Sequence, residues 1–472
     1  MNGKIKIIIT NFSYTLMSNL ISMIISTLIV IIVPKLIGVS EYGYWQLYIF
    51  YTSYLGFFNI GWVEGIYLRY GGEEYHRLNR NVFTSQFWSF CVYIIGAGSL
   101  ITIYSLFYAS DFNKQFILQM VSICLITSVP RGFLLYVLES TNRIKEYSRL
   151  TLLDRIIYCL IIVVMLMLGI REYKLLIIAD LVGKIVTLIV AMYICKEIVF
   201  SKMVSLKDSF QEMIANISVG IKLMFANIAS MLIIGVVRFG IERSWNVATF
   251  GKVSLTLSVS NLMMLFINAI GLIMFPILRR TDEKRLSSIY VTMRDFLMVI
   301  LLGALIVYYP LKVILIAWLP RYADSLIYMA LVFPMCVFEG KMALLINTYL
   351  KTLRKEKFML KINLISLALS VIITFITTII FKNLDLAITS IVVLLAFRCA
   401  LSEMFLSNIL TISLYKDIVL ELIMTLIFIL TGWFINSWLV VLLYAIAYII
   451  YLVIKRKDII NAVGNVKLLM KG

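Results

Sequence analysis

Nine basic side chains stand inside or at the ends of long apolar stretches of this sequence: Arg131, Arg155, Lys184, Lys222, Arg238, Lys252, Lys312, Lys341 and Arg398. If those stretches cross a bilayer, a charge near the centre costs at least about 2.5–3.5 kcal/mol and must face a partner or a hydrated cavity. A guanidinium then offers a planar fork of donors to phosphate or carboxylate oxygens, and an ammonium a compact point charge. Arg398 lies near the middle of its stretch with its nearest acid, Glu403, five residues away, and reads as a cavity residue. Arg131 follows Val129-Pro130, and a proline that removes a backbone donor predicts a bend lining a cavity. Lys222 and Arg238 bracket another stretch, while Lys341 has Glu339 two residues away on roughly the opposite helical face. Asp180 and Lys184 have the i,i+4 spacing of a self-neutralising pair, and Arg155, Lys252 and Lys312 lie close enough to span ends to snorkel. In Gly61-Trp62-Val63-Glu64-Gly65-Ile66-Tyr67-Leu68-Arg69 an acid and a base sit among glycines. Glu64 reads there as a coupling or pairing acid, and Arg69 joins Arg398, Arg131, Lys222, Lys341 and Arg238 as a candidate cationic ligand. A cavity of that sign suits an anionic substrate.

The elements that position these residues follow from composition. Of 472 residues, 62% are hydrophobic and 14% charged, and the mean hydropathy is +0.98. A soluble domain is usually about 25% charged, so this chain is read as an integral membrane protein. Its long uncharged runs select helices over an outer-membrane barrel. The net charge of +18 therefore reflects topology and substrate rather than nucleic acid. His76 is the only histidine, which excludes a His-based metal site or triad. Cys91, Cys124, Cys159, Cys195, Cys336 and Cys399 are scattered through apolar runs and read as small buried hydrophobes. No metal or cofactor is expected.

Runs of about 20 apolar residues predict an all-α polytopic membrane protein with about fourteen spans, near 11–34, 42–67, 82–108, 116–139, 151–169, 175–195, 217–240, 249–277, 293–317, 325–350, 358–381, 385–411, 418–435 and 437–454. The first is too long for a signal peptide and should remain as a helix. The longest connection runs from Lys196 to Asn216, too short for a folded extramembrane domain. Alternate loops carry 27 and 7 basic residues, with Arg279, Arg280, Lys284, Arg285 and Arg294 counted in one basic loop. Basic loops stay inside, so both termini should be cytoplasmic. Asn19-Leu-Ile-Ser22-Met23 is echoed 208 positions later by Asn227-Ile-Ala-Ser230-Met231, and Tyr42-Gly43 by Phe250-Gly251. That register predicts a parallel repeat of two six-helix lobes, 1–207 and 208–415, followed by two helices and a cytoplasmic tail over 416–472.

The segment Pro34-Lys-Leu-Ile-Gly38-Val-Ser-Glu-Tyr42-Gly43-Tyr-Trp45, with Asn59-Ile-Gly61 and Ile66-Tyr-Leu-Arg69-Tyr70, resembles the first two helices of the Wzx-type polysaccharide lipid-carrier flippases, which belong to the multidrug/oligosaccharidyl-lipid/polysaccharide (MOP) superfamily. Gly220, Asn227, Arg238 and Phe250-Gly251-Lys-Val-Ser-Leu resemble the second-half signature of that family. Relatives commonly carry an Asp before the basic residue of the seventh helix, where this chain has Val237-Arg238. The resemblance implies translocation of an undecaprenyl-diphosphate-linked oligosaccharide, an O-antigen or capsule unit, across the bacterial cytoplasmic (inner) membrane by alternating access of the lobes. Basic groups would hold the diphosphate, and the polymerase and glycosyltransferases of the pathway would be partners. A cation-coupled drug antiporter of the same superfamily is the alternative. A membrane polymerase would need a sizeable polar loop, and the chain has none.

Overall fold

The computed structural model describes residues 3–109, 111–279, 286–435 and 437–471, and the side chains of 1–13, 15, 16, 206, 265–285, 356, 463 and 465–471 are left undescribed as well. The terminal bases Lys4, Lys6, Lys467 and Lys471 and the loop bases Arg279, Arg280, Lys284 and Arg285 fall outside the described side chains. Among the described residues there are helices and no strands. The main ones are α1 (Gly3–Leu36), α2 (Val39–Thr52), α3 (Trp62–Arg69), α4 (Arg80–Tyr108), α5 (Phe112–Ser140), α6 (Ile144–Met167), α7 (Tyr173–Ile194), α8 (Leu206–Ser244) and α9 (Val247–Arg279). They continue with α10 (Leu286–Trp318), α11 (Met329–Thr352), α12 (Lys357–Ile380), α13 (Leu384–Leu410), α14 (Tyr415–Phe434), α15 (Leu439–Ile454) and α16 (Arg456–Lys471).

Eleven of the described helices are long and apolar enough to cross a membrane, or twelve if the α15–α16 pair, bent by 70°, forms one broken span. The chain is thus an all-α, multi-pass membrane protein. The stretch expected as one span over 42–67 is not one helix. It divides into α2, a 3₁₀ turn at Leu55–Asn59 and α3, because Ile60 and Gly61 take left-handed φ values of 51° and 80° that no α-helix admits. α8 begins at Leu206, about three turns before the span expected at 217, so part of the supposed long loop is helical.

The chain forms two compact units, Met1–Ile228 and Ala229–Gly472. In unit 1, α5 packs on α4 and α7, and α6 packs on α1 and α7. In unit 2, α11 is the most enclosed of the apolar helices, with most of its side chains buried. Around it, α12 packs on α13, α14 on α15, and α16 along the first half of α10. Cys124, Cys195, Cys336 and Cys399 are buried, and Cys91 and Cys159 are half-buried. All six are free thiols.

Candidate functional site

In unit 2, four charged side chains from four helices close a ring. Arg294 (α10) donates from Nε to Glu403 Oε1 (α13) at 2.8 Å and from Nη2 to Glu421 Oε1 (α14). Lys341 (α11) closes the ring, donating to Glu403 Oε2 and, at 2.6 Å, to Glu421 Oε2. The Tyr290 hydroxyl adds a bond to Glu403 at 3.1 Å. Two cations meet two carboxylates, so the ring is neutral, and each carboxylate uses both oxygens. Lys455 extends the cluster, reaching Asp295 at 3.0 Å, Asp417 at 2.9 Å and Asp458 at 2.8 Å. Within the ring every charge is paired, which makes its burial tolerable, while the three aspartates share Lys455, with Arg294 Nη1 3.5 Å from Asp295 and from Asp417.

Arg398 belongs to a separate contact. Its Nε donates to Asn363 Oδ1 at 2.9 Å and its Nη1 to Glu339 Oε1 at 3.2 Å. Glu339 and Lys341, two residues apart on α11, thus point to different sides, as do Arg398 and Glu403 on α13. Two ion pairs, Glu339–Arg398 and Lys341–Glu403, link the same two helices. Arg238 donates to Ser254 Oγ at 3.1 Å, and its guanidinium lies 5.5 Å from the Phe250 ring.

Unit 1 handles its charges in smaller groups. Arg131 Nη1 meets Asp154 at 3.0 Å and Thr187 Oγ1 at 3.0 Å. α5 stays helical through Pro130. Asp180 and Lys184 form the pair their spacing allows, and the Tyr48 hydroxyl donates to Asp180 at 2.7 Å. Arg69 donates to Asn216 at 2.6 Å and pairs with Glu212 at 2.6 Å, and Tyr70 donates to Glu212 at 2.5 Å. Burial, then the bond to Glu212, pushes the Tyr70 hydroxyl above its ordinary range. These bonds tie α3 to α8 where their backbones touch. A Cβ on Gly65 would lie 1.9 Å from the Asn216 carbonyl oxygen, and one on Gly220 would lie 2.0 Å from that of Gly61. Glu64 sits inside this contact, 7% exposed, with Oε2 lacking a hydrogen-bond partner.

The residues singled out in the sequence therefore do not assemble into one cationic patch within either unit. Lys341 enters the ring, Arg398, Arg131 and Arg69 each hold a carboxylate, and Lys222 is exposed and makes no ion pair among the described residues. The net-basic interior inferred from sequence is corrected on this point. Acids contributed by other helices neutralise Arg131, Lys341 and Arg398, and sequence distance along one helix cannot reveal them. Arg294, counted as a loop residue, is 1% exposed and lies more than two turns inside α10, which begins at Leu286. Lys455, counted as part of the tail, is buried too. Among the described residues no group of three His, Cys, Asp or Glu side chains is placed to hold a metal ion.

No family model matches the chain, and no curated protein sequence matches it either. Solved structures do. The lipid II flippase MurJ in an inward closed conformation matches with a TM-score of 0.67 at 14% identity, over 95% of this chain and 99% of that one. An inward-facing multidrug resistance MATE transporter of the MOP superfamily matches with 0.59 at 9% identity, over 83% and 98%. A eukaryotic MATE transporter matches with 0.51 at 11% identity, over 86% and 96%. The chain has the fold of the MOP-superfamily transporters.

Proposed function

We propose that this protein is a lipid-carrier flippase, moving a polyprenyl-diphosphate-linked oligosaccharide from the cytoplasmic to the outer leaflet of the cytoplasmic membrane, with both termini cytoplasmic. The observation that carries this reading is coverage. The lipid II flippase accounts for 95% of this chain, whereas the inward-facing MATE structure leaves about a sixth of it without a counterpart. The charged residues give the reading a chemical basis. Lys222 is exposed and among the described residues makes no ion pair, so its ammonium is available to a diphosphate. Arg131, 14% exposed, holds one carboxylate, a contact that a phosphate oxygen can replace, whereas Arg398, 2% exposed, reaches a diphosphate only in a conformation that opens its contact with Glu339. Lys341, held by two carboxylates and 1% exposed, is a structural cation in this scheme.

A cation-coupled antiporter is the second reading, and the buried carboxylates favour it, because a coupling ion or a cationic drug requires acids. Deleting the gene separates the two. The flippase reading expects lipid-linked oligosaccharide retained on the cytoplasmic leaflet and unchanged sensitivity to cationic drugs, and Lys222→Ala should reproduce the retention at normal membrane abundance. Drug hypersensitivity with normal surface polysaccharide would overturn it.

A further inference from the structure

In unit 2, α10, α14 and α15 line an open cavity of about 190 Å³ whose lining includes Tyr308, Tyr309, Lys312, Gly432, Ser437 and Trp438, with aliphatic side chains between them. It lies at the end of α14 remote from Asp417, roughly 22 Å along that helix at about 1.5 Å per residue. Its chemistry differs from that of the buried ring. Lys312 is the single charged residue in the lining, and its ammonium lies 5.8 Å from the centroid of the Tyr308 ring. Among the described residues no carboxylate is within ion-pair distance of it. The Tyr308 and Tyr309 hydroxyls, on side chains 1% and 7% exposed, have no hydrogen-bond partner among the described residues. Beside them Val313, Trp438 and Leu439 are exposed.

An ammonium over a tyrosine ring whose hydroxyl is unused, both in one lining, calls for an anion with several acceptor oxygens. The outward apolar side chains on a membrane helix call for an acyl chain, and a tryptophan at a helix start suits the headgroup level. We propose that this cavity binds an anionic membrane lipid, with Lys312 and the Tyr308 hydroxyl on the headgroup phosphate and the aliphatic lining along the chain. The site requires only that the protein is embedded in a bilayer, and it is independent of the flippase reading.

The test uses the purified full-length protein in detergent, titrated with phosphatidylglycerol, phosphatidylcholine, inorganic phosphate or undecaprenyl diphosphate and read by native mass spectrometry and thermal shift. Phosphatidylglycerol should bind and raise the Tm, and phosphatidylcholine and inorganic phosphate should not. One Lys or Arg near an anionic lipid contributes about 1 kcal/mol, so Lys312→Gln should weaken phosphatidylglycerol binding about fivefold. Tyr308→Phe should weaken it less, and Lys312→Arg should retain it, both at the lipid-free Tm of the wild type. If Lys312→Gln fails to accumulate, the contrast between Tyr308→Phe and Lys312→Arg decides. Equal binding of the two phospholipids, or phosphatidylglycerol binding indifferent to these substitutions, overturns the proposal. Lys312-dependent binding of undecaprenyl diphosphate without phosphatidylglycerol binding, or of inorganic phosphate alone, also overturns it, by assigning the site to the carrier or to a free anion.

Discussion

In unit 1, Arg131 meets Asp154 with 14% of each side chain exposed, and Arg69 meets Glu212 with 29% and 25% exposed. In unit 2, Arg294, Lys341, Glu403 and Glu421 close a ring in which no side chain is more than 5% exposed. The difference is between charges that can exchange partners and charges that cannot. A partly exposed pair gains little from its Coulomb attraction and loses little when it opens. Opening the ring would strand an ion in an apolar interior, so its net charge and its four helices are fixed together.

The largest expected effect tests the ring. Glu403→Gln leaves the cations of Arg294 and Lys341 undercompensated, and losing one partner of a buried pair costs about 3–5 kcal/mol. Membrane abundance and detergent-solubilised Tm should both fall sharply. Adding Lys341→Met should recover much of the loss, because the double variant restores neutrality. An unchanged Tm in Glu403→Gln would show that the ring does not hold unit 2 together.

A second, intermediate effect concerns how closely unit 1 packs α3 on α8. Gly65→Ala puts a methyl against the Asn216 carbonyl, 1.9 Å away, where backbone and not a flexible side chain must move. Overpacking of this kind costs about 1–3 kcal/mol. The Tm should drop by that equivalent, and cysteines introduced on facing positions of α3 and α8 should crosslink more slowly. Crosslinking at the wild-type rate would place the strain elsewhere.

The smallest effect sharpens the comparison from the other side. Asp154→Asn removes the charge partner of Arg131, 14% exposed, but leaves it Thr187 and an asparagine amide oxygen, so the loss should stay at about 1 kcal/mol, the upper end for exposed pairs. Abundance and Tm should scarcely change. A loss as large as that of Glu403→Gln would erase the distinction between the two units.

Much of this was legible in the sequence, and the rest was hidden for identifiable reasons. Helical class followed from hydropathy, and the Asp180–Lys184 pair followed from a spacing contained in one helix. The partners of Arg398 and Lys341 did not, because Glu339, Glu403 and Glu421 come from neighbouring helices and only packing brings them near. Arg294 was misplaced because hydropathy reports where a stretch becomes apolar, whereas α10 begins two turns earlier, at Leu286. The break at Ile60-Gly61 had a signal in its glycine, but a run of apolar residues on both sides concealed it.

The helix that carries Lys341 has one further property. Directly after that residue, Met342–Ile346 forms a π turn. Lys341 joins the ring completed by Arg294, and Tyr349 packs its ring against Tyr290 at 4.9 Å and bonds to the Leu286 carbonyl, so both residues meet α10. Eight residues along a regular α-helix are about 80° out of line, whereas absorbing one residue in a π turn brings them to within about 20°. The turn has the geometry of a one-residue insertion into a regular helix. A homologue without it should align only by opening a one-residue gap inside a membrane helix, and a chain that lost this residue would have to give up either the lysine or the tyrosine contact.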